Sequence, residues 1–165
     1  VFSTLRERDI LRFEGPHGNF FWREDAGKPA ILIAGGTGFA PIKSLIEQAW
    51  QQKSTRPLSL YWGARDRAGL YLHEVAQAWT AGHPNFRYVP VLSDAAATDH
   101  WDGCRGLVHH AVMADFPDLS GHQVYACGAP AMIEAARRDL TGRNGLPDDA
   151  FFADAFTFAN DAPKP

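Results

Sequence analysis

The residues best suited to chemistry are a stretch of bare backbone, Gly35-Gly36-Thr37-Gly38-Phe39-Ala40-Pro41. Glycines let a chain turn sharply and approach a diphosphate closely, while the amides and dipole at the start of a following helix favour negative charge. The stretch lacks the last glycine of a GxGxxG fingerprint, because Pro41 stands there, and no Gly-Lys-Ser/Thr follows to make a P-loop. A tight structural turn would use the same residues; the apolar run before it and the periodic pattern after it favour the ligand. Cys127 invites two readings, a buried structural thiol or a covalent nucleophile. The second needs a base and an electropositive setting, and neither is supplied by its sequence neighbours. His109-His110 and His73-Glu74 have no third ligand at metal spacing, so they are read as helix-surface residues without chemistry.

These residues need elements to place them. Ala30 to Ala34 is a continuous apolar run ending in glycines, as expected of a strand buried on both faces of a parallel sheet. Pro41 suits a first helical position, and Ile42, Leu45, Ile46, Ala49 and Trp50 recur at helical spacing. The unit repeats: Leu58 to Trp62 reads as a strand, and Leu72, Val75, Ala76 and Trp79 as a helical face. Phe86 to Val91 reads as a strand, Leu107 to Met113 as a short helix, and Gln123 to Cys127 as a strand. Pro130 to Leu140 reads as a helix stopped by Gly142, and Phe151 to Ala153 as a last strand. Such alternation predicts an α/β fold, a Rossmann-like doubly wound parallel sheet of five strands. Pro90 lacks a ladder donor, which puts the third strand at an edge and gives the order 3-2-1-4-5. Ligands then bind where the winding reverses, between strands one and four, beside the Gly35 to Ala40 and Cys127 to Pro130 loops.

Composition sets the frame. With 165 residues, 45% hydrophobic and 21% charged, the chain suits one globular domain. The net charge of −3, with both signs scattered, offers no footprint for nucleic acid or an anionic membrane. No apolar run approaches the roughly 20 residues needed to span a bilayer. The two cysteines form no CxxC pair, so neither a disulfide framework nor a metal site is encoded, and a reducing cytoplasm is the expected setting. Val1 to Asp25 carries apolar patches (Ile10, Leu11, Phe13; Phe20, Phe21, Trp22) around Gly15-Pro16-His17-Gly18, a strand, turn and strand. One hairpin cannot bury two faces. Residues 1–27 therefore read as the end of an upstream β domain, 28–160 as the nucleotide-binding domain, and 161–165 as a frayed, proline-rich tail.

Five ordered segments resemble the nicotinamide domain of the ferredoxin-NADP reductase family: LIAGGTGFAPIKSLIE, LYWGARDRAGLY, YVPVLSD, YACGAPAMI and FFADAF. Within it they are similar to NAD(P)H-flavin reductases and to bacterial CDP-6-deoxy-glucoseen reductases, and EGPHGNF resembles the end of the family's flavin-binding β-barrel. The resemblance implies that Gly35, Gly36, Thr37, Gly38, Phe39 and Pro41 hold the pyrophosphate and nicotinamide ribose, with Thr37 beside the nicotinamide. It implies that Gly63 and Arg65 border the adenosine, Arg65 meeting a phosphate or the adenine face unless it is simply a solvated arginine. Ser93 and Asp94 stand where relatives distinguish a 2′-phosphate from a ribose hydroxyl; a carboxylate repels the phosphate, so Asp94 favours NADH while Arg65 favours NADPH. Cys127, Gly128, Pro130 and Met132 match the lip against the nicotinamide ring, where a small thiol lets the ring approach the flavin. Asp154 and Phe156 match an acidic residue and an aromatic that face the flavin, core packing being the alternative for Phe156. Arg8-Asp9 departs from the Gly-Asp common in the family.

The resemblance implies an NAD(P)H-dependent flavin oxidoreductase passing a hydride to FAD, bound mainly by the upstream flavin domain. Electrons would then go to an iron–sulfur centre, such as a [2Fe-2S] ferredoxin-type domain, and on to a partner dehydratase or oxygenase. Alternatives are release of free reduced flavin, a non-catalytic dinucleotide sensor, and a thiol enzyme using Cys127. The chain alone is expected to be catalytically silent.

Overall fold

The computed structural model describes residues 4, 6–12, 14–15, 18–24 and 27–156. Its centre is a parallel sheet of six strands: β1 (Ala30–Gly35), β2 (Leu58–Ala64), β3 (Phe86–Leu92), β4 (Cys104–Arg105), β5 (Gln123–Gly128) and β6 (Phe151–Ala155). The helices are α1 (Phe39–Gln51), α2 (His73–Gly82), α3 (Val108–Asp115) and α4 (Pro130–Arg143). Strand order is β4-β3-β2-β1-β5-β6. The expected order is thus extended by one strand, which sequence periodicity misses because β4 is only two residues long.

Pro90 explains how the expected edge strand accepts a neighbour. Leu92 accepts from the Gly106 amide at 2.9 Å, so its polar groups face β4, and Pro90, two residues earlier, faces the same way. β4 pairs only with Val91 and Leu92, ending before a Pro90 donor would be required.

Alternation along the buried strands builds two cores. Leu32, Ala34, Leu60 and Trp62 pack against Ile42, Ile46 and Ala49 of α1 and Ala76 of α2. Ile31, Ile33, Tyr61, Val124 and Ala126 pack against Val108 and Val112 of α3 and Ile133 and Leu140 of α4. The sheet is therefore wound on both faces, and the chain changes face after β3, before returning beside β1 as β5.

Some boundaries shift from expectation. α4 continues through Gly142 to Arg143 and ends where Gly145, at φ 70, lets the Leu146 amide return to the Leu140 carbonyl at 3.1 Å. Glycine costs only about 1 kcal/mol inside a helix, less than burial of Leu140 provides. Pro41 is the third residue of α1 rather than its first, because Gly38 is the N-cap. Val75 is exposed and Ala76 alone of the α2 face is buried.

The expected N-terminal hairpin is not formed among the described residues, and Phe13, Pro16, His17, Asp25 and the 161–165 tail lie outside them. Ile10 is 97% exposed, since the described residues offer it no second apolar layer. Trp22, in contrast, stacks on Tyr125 at 5.3 Å between ring centroids. The buried Arg56 guanidinium lies over the Trp22 ring and donates to the Lys28 and Arg23 carbonyls, each at 2.6 Å, and to Gln123 Oε1 at 2.8 Å. This knot closes the end of the sheet where β1 and β5 begin.

Candidate functional site

At the other end, the carboxyl termini of the strands enclose a cleft of about 560 Å3, within the range of about 300–1,000 Å3 usual for small-molecule sites. It straddles the point where the winding reverses. Gly35, Gly36 and Thr37 line it from the end of β1, Ala129 and Met132 from the far side of β5, and Phe156 from the residue after β6. Gly63, Ala64, Arg65 and Asp66 continue it along β2, with Ser93 after β3 and Gly106, Leu107 and Val108 after β4.

Glycines make this geometry possible for different reasons. Gly38 has ordinary right-handed helical angles, but a Cβ there would stand 2.1 Å from the Cys127 carbonyl oxygen and 2.6 Å from its carbon. Only glycine lets the loop press against β5. A Cβ on Gly35 would reach the Met132 sulfur at 2.5 Å. Gly36 differs: its φ of 52 is left-handed and nothing lies within 4 Å of where a Cβ would be, so its bare face opens on the cleft. Trp62 Nε1 donates to its carbonyl at 3.0 Å, and Phe39 stacks on Trp62 at 3.9 Å, fixing the loop from below.

Of the four α-helices among the described residues, three begin at this cleft. α1 follows the Gly36–Gly38 turn, α3 follows Leu107, and α4 follows Ala129; none of the three has a side-chain N-cap bond or an acidic residue in its first turn. α2, which starts elsewhere, carries Glu74 in its first turn. Helix starts without a side-chain cap or a first-turn carboxylate leave their positive dipole ends to an anion. A diphosphate-linked coenzyme fits this donor set.

Several expected residues support the cleft without lining it. Phe39 and Gly38 are buried, Pro41 is half-buried inside α1, and Pro130 is the first residue of α4. Cys127 is fully buried, and burial, aided by the Asp154 charge, pushes its thiol up to about 12. A thiol that stays protonated is no nucleophile, so the thiol-enzyme alternative loses its chemistry. Asp154 is half-buried opposite Cys127 in the β5–β6 register. Gly128 accepts from the Phe156 amide at 2.9 Å, which holds Phe156 on the lip. Asp94 lies outside the lining but pairs with Arg65 at 3.4 Å, both side chains being largely exposed. Its amide donates to the Arg65 carbonyl at 2.8 Å, joining the ends of β2 and β3.

Two histidines depart from expectation. His109 is buried rather than on the surface, and its Nε2 stands 3.2 Å from Asp139 on α4. With the exposed His110 these residues bring ligand atoms within 4.8 Å of one another. Sequence spacing hides the grouping because Asp139 comes from another helix. Arg138 already bonds both Asp139 oxygens and holds its carboxyl below the usual range, while burial lowers His109. His73 is half-buried, with Nδ1 3.0 Å from the Tyr88 hydroxyl. The cleft residues missed from sequence are mainly Gly106, Leu107 and Val108, whose one local signal is a glycine before an apolar pair.

A doubly wound parallel sheet with a glycine-lined crevice at its switch point defines a nucleotide-binding α/β domain. More narrowly, the chain belongs to the oxidoreductase NAD-binding domain family, whose model matches residues 32–138. It is 46% identical over 94% of its length to the CDP-6-deoxy-L-threo-D-glycero-4-hexulose-3-dehydrase reductase of Yersinia pestis, covering 46% of that protein. It is 36% identical over 94% of its length to the NAD(P)H-flavin reductase of Vibrio harveyi, covering 65% of it. Among solved structures, the Amycolatopsis cytochrome P450 reductase GcoB matches 88% of this chain and 43% of its own, with a TM-score of 0.79 and 34% identity. The chain thus spans about half the length of the first of these relatives, and the kinship with ferredoxin reductases expected from its motifs holds. Among the described residues no helix is long and apolar enough to cross a membrane.

Proposed function

We propose that this chain is the dinucleotide-binding half of a flavin-dependent reductase that draws electrons from NAD(P)H. The observation carrying the proposal is the convergence of three uncapped helix starts and the bare Gly36 surface on one cleft. When bound, the dinucleotide supplies a hydride from nicotinamide C4 to flavin N5 of a companion FAD domain. The chain's own residues bind and aim. The amides after Gly35 take the diphosphate, Thr37 and Met132 flank the nicotinamide, and Gly38 and Gly128 keep the loop and β5 close enough for the ring to lie flat. Cys127 acts through its small size, and Phe156 covers the nicotinamide position. Such positioning contributes up to roughly 7–11 kcal/mol to a reaction between two bound partners.

Residues 1–27, with Ile10 and Leu11 exposed, are read as the seam with the flavin domain, and 28–160 as the nucleotide domain. Asp94 beside the adenosine end disfavours a 2′-phosphate and partly neutralises Arg65, so NADH is the preferred donor. Beyond the flavin, the names of relatives that are reductases of a dehydrase, a phenol monooxygenase and a terephthalate dioxygenase favour a dehydratase or oxygenase as the partner, with an iron–sulfur centre, such as a [2Fe-2S] domain, proposed as the carrier between them. The Vibrio harveyi relative favours a second reading, release of reduced flavin. The free cysteines Cys104 and Cys127 suit a reducing cytoplasm.

The experiment is a calorimetric titration of residues 1–165 with NADH and NADPH, alongside a dye-reduction assay. NADH binding that exceeds NADPH binding, without dye turnover, is expected. Absence of binding to either dinucleotide contradicts the proposal, and turnover at the rate of an intact reductase contradicts the division of labour.

A further inference from the structure

Trp62 is fully buried near the end of β2, against the underside of the glycine turn. Its ring stacks on Phe39 at 3.9 Å between centroids, with 12° between the planes, and Tyr71 meets it edge-on at 5.2 Å. These contacts hold the indole in one orientation. Its Nε1 donates to the Gly36 carbonyl at 3.0 Å. Burial of an indole does not by itself account for that bond, because the buried Nε1 of Trp50, packed against the same core, has no partner among the described residues.

The bonded carbonyl belongs to a peptide unit whose other end faces the cleft. A trans peptide points its C=O and its N–H in opposite directions. An oxygen held down onto Trp62 therefore sends the Thr37 amide the other way, toward the cleft that Thr37 lines. That amide sits in the first residues of the Gly36–Gly38 turn, where no bond inside the turn can occupy it. The unit is otherwise easily rotated. Gly36, at a φ of 52, has nothing within 4 Å of where a Cβ would be, so no side chain resists a flip of the plane. A flip would replace the amide by a carbonyl oxygen and set its negative end where a diphosphate would lie. The Phe39 amide also reaches the Gly36 oxygen, but it shares its proton with the Thr37 carbonyl. The indole N–H is committed to the Gly36 oxygen alone.

We infer that Trp62 is a positioning residue for dinucleotide binding: its indole N–H pins the Gly36–Thr37 peptide so that the Thr37 amide faces the diphosphate. This inference rests on the NAD(P)H reading above and adds to it a buried residue that never touches the ligand.

The test removes the donor and keeps the shape. Benzothienylalanine in place of Trp62 retains the fused ring and carries sulfur where the indole has N–H, and Trp62→Phe removes the donor by ordinary mutagenesis. NADH should bind the benzothienyl protein about 3- to 10-fold more weakly, the loss expected from one hydrogen bond. Trp50→Phe, which deletes an indole N–H that bonds to nothing, should bind NADH as the unaltered chain does. In 15N-edited spectra at saturating NADH, the Thr37 amide should lose most of its ligand-induced shift while those of Leu107 and Ala129 persist, whereas a role confined to packing would treat all three alike. Should Trp62→Phe fail to fold, the benzothienyl protein decides alone. Unchanged NADH affinity in that protein, or a Thr37 shift that persists with the other two, overturns the inference while leaving the NAD(P)H reading intact. Failure of the unaltered chain to bind NADH defeats both.

Discussion

Replacing Gly38 with alanine is expected to destabilise the fold through one contact between two backbone segments. Its backbone angles, φ −58 and ψ −11, suit any L-residue, so no conformational penalty is involved. The new Cβ would meet the Cys127 carbonyl oxygen at 2.1 Å and must recede to at least 3.0 Å, but the obstacle is backbone of a central strand. Overpacking of this kind costs about 1–3 kcal/mol, which in a domain of this size lowers the melting temperature by about 3–10 °C. Gly36 provides the contrast. Its alanine variant meets nothing within 4 Å but holds a left-handed φ of 52, a strain of about 1–2 kcal/mol. Asparagine tolerates that conformation, so Gly36→Asn should recover stability relative to Gly36→Ala, whereas Gly38→Asn should be no better than Gly38→Ala. Thermal unfolding of the four variants by circular dichroism decides the matter. A Gly38→Ala protein as stable as the parent would refute the close approach of loop and strand on which the cleft's shape depends.

Other expectations follow from the same coordinates. Native protein at pH 8 should take up one equivalent of iodoacetamide, at the exposed Cys104, and a second only on denaturation, because burial pushes the Cys127 thiol up to about 12. Peptide mass spectrometry showing Cys127 labelled in the folded state would contradict its assigned burial. His109 and His122 are both lowered from the ordinary 6.5, chiefly by burial, so the unfolded chain binds more protons near that pH. Stability should therefore rise with pH up to about 6.5 and fall as the solution is acidified below it. His109→Gln should flatten the profile, and an unchanged slope would count against the buried neutral imidazole. Arg56→Met should cost about 3 kcal/mol by stranding its carbonyl and Gln123 acceptors, with dinucleotide affinity unchanged at temperatures where the variant is folded. Loss of affinity there would mean that the two ends of the sheet are coupled.

Much of this was legible in the residue order. The buried runs of β1 and β5, the periodic face of α1 and the glycine turn between them all follow local rules, and together they locate the crevice. What escaped depended on distance along the chain. β4 has only Cys104 and Arg105 and takes its identity from Val91 and Leu92. His109 seemed a surface residue because Asp139, which faces it, lies on another helix. Leu107 read as the first residue of a helical face, whereas it caps α3 at the cleft rim. Among the described residues of the N-terminal segment no strand forms, since alternation predicts a strand only where something is available to pair with it. Phe39 shows the reverse case, in which a motif predicts a neighbourhood correctly and the side chain serves it from inside the core.

The most direct measurement is a 15N-edited NMR titration of the chain with NADH. The amides of Gly36, Thr37, Leu107 and Ala129 should shift together along one saturating curve, marking the three helix starts at the cleft. Shifts confined to the Arg56, Gln123 and Tyr125 end of the sheet, or none at millimolar NADH, would contradict the account.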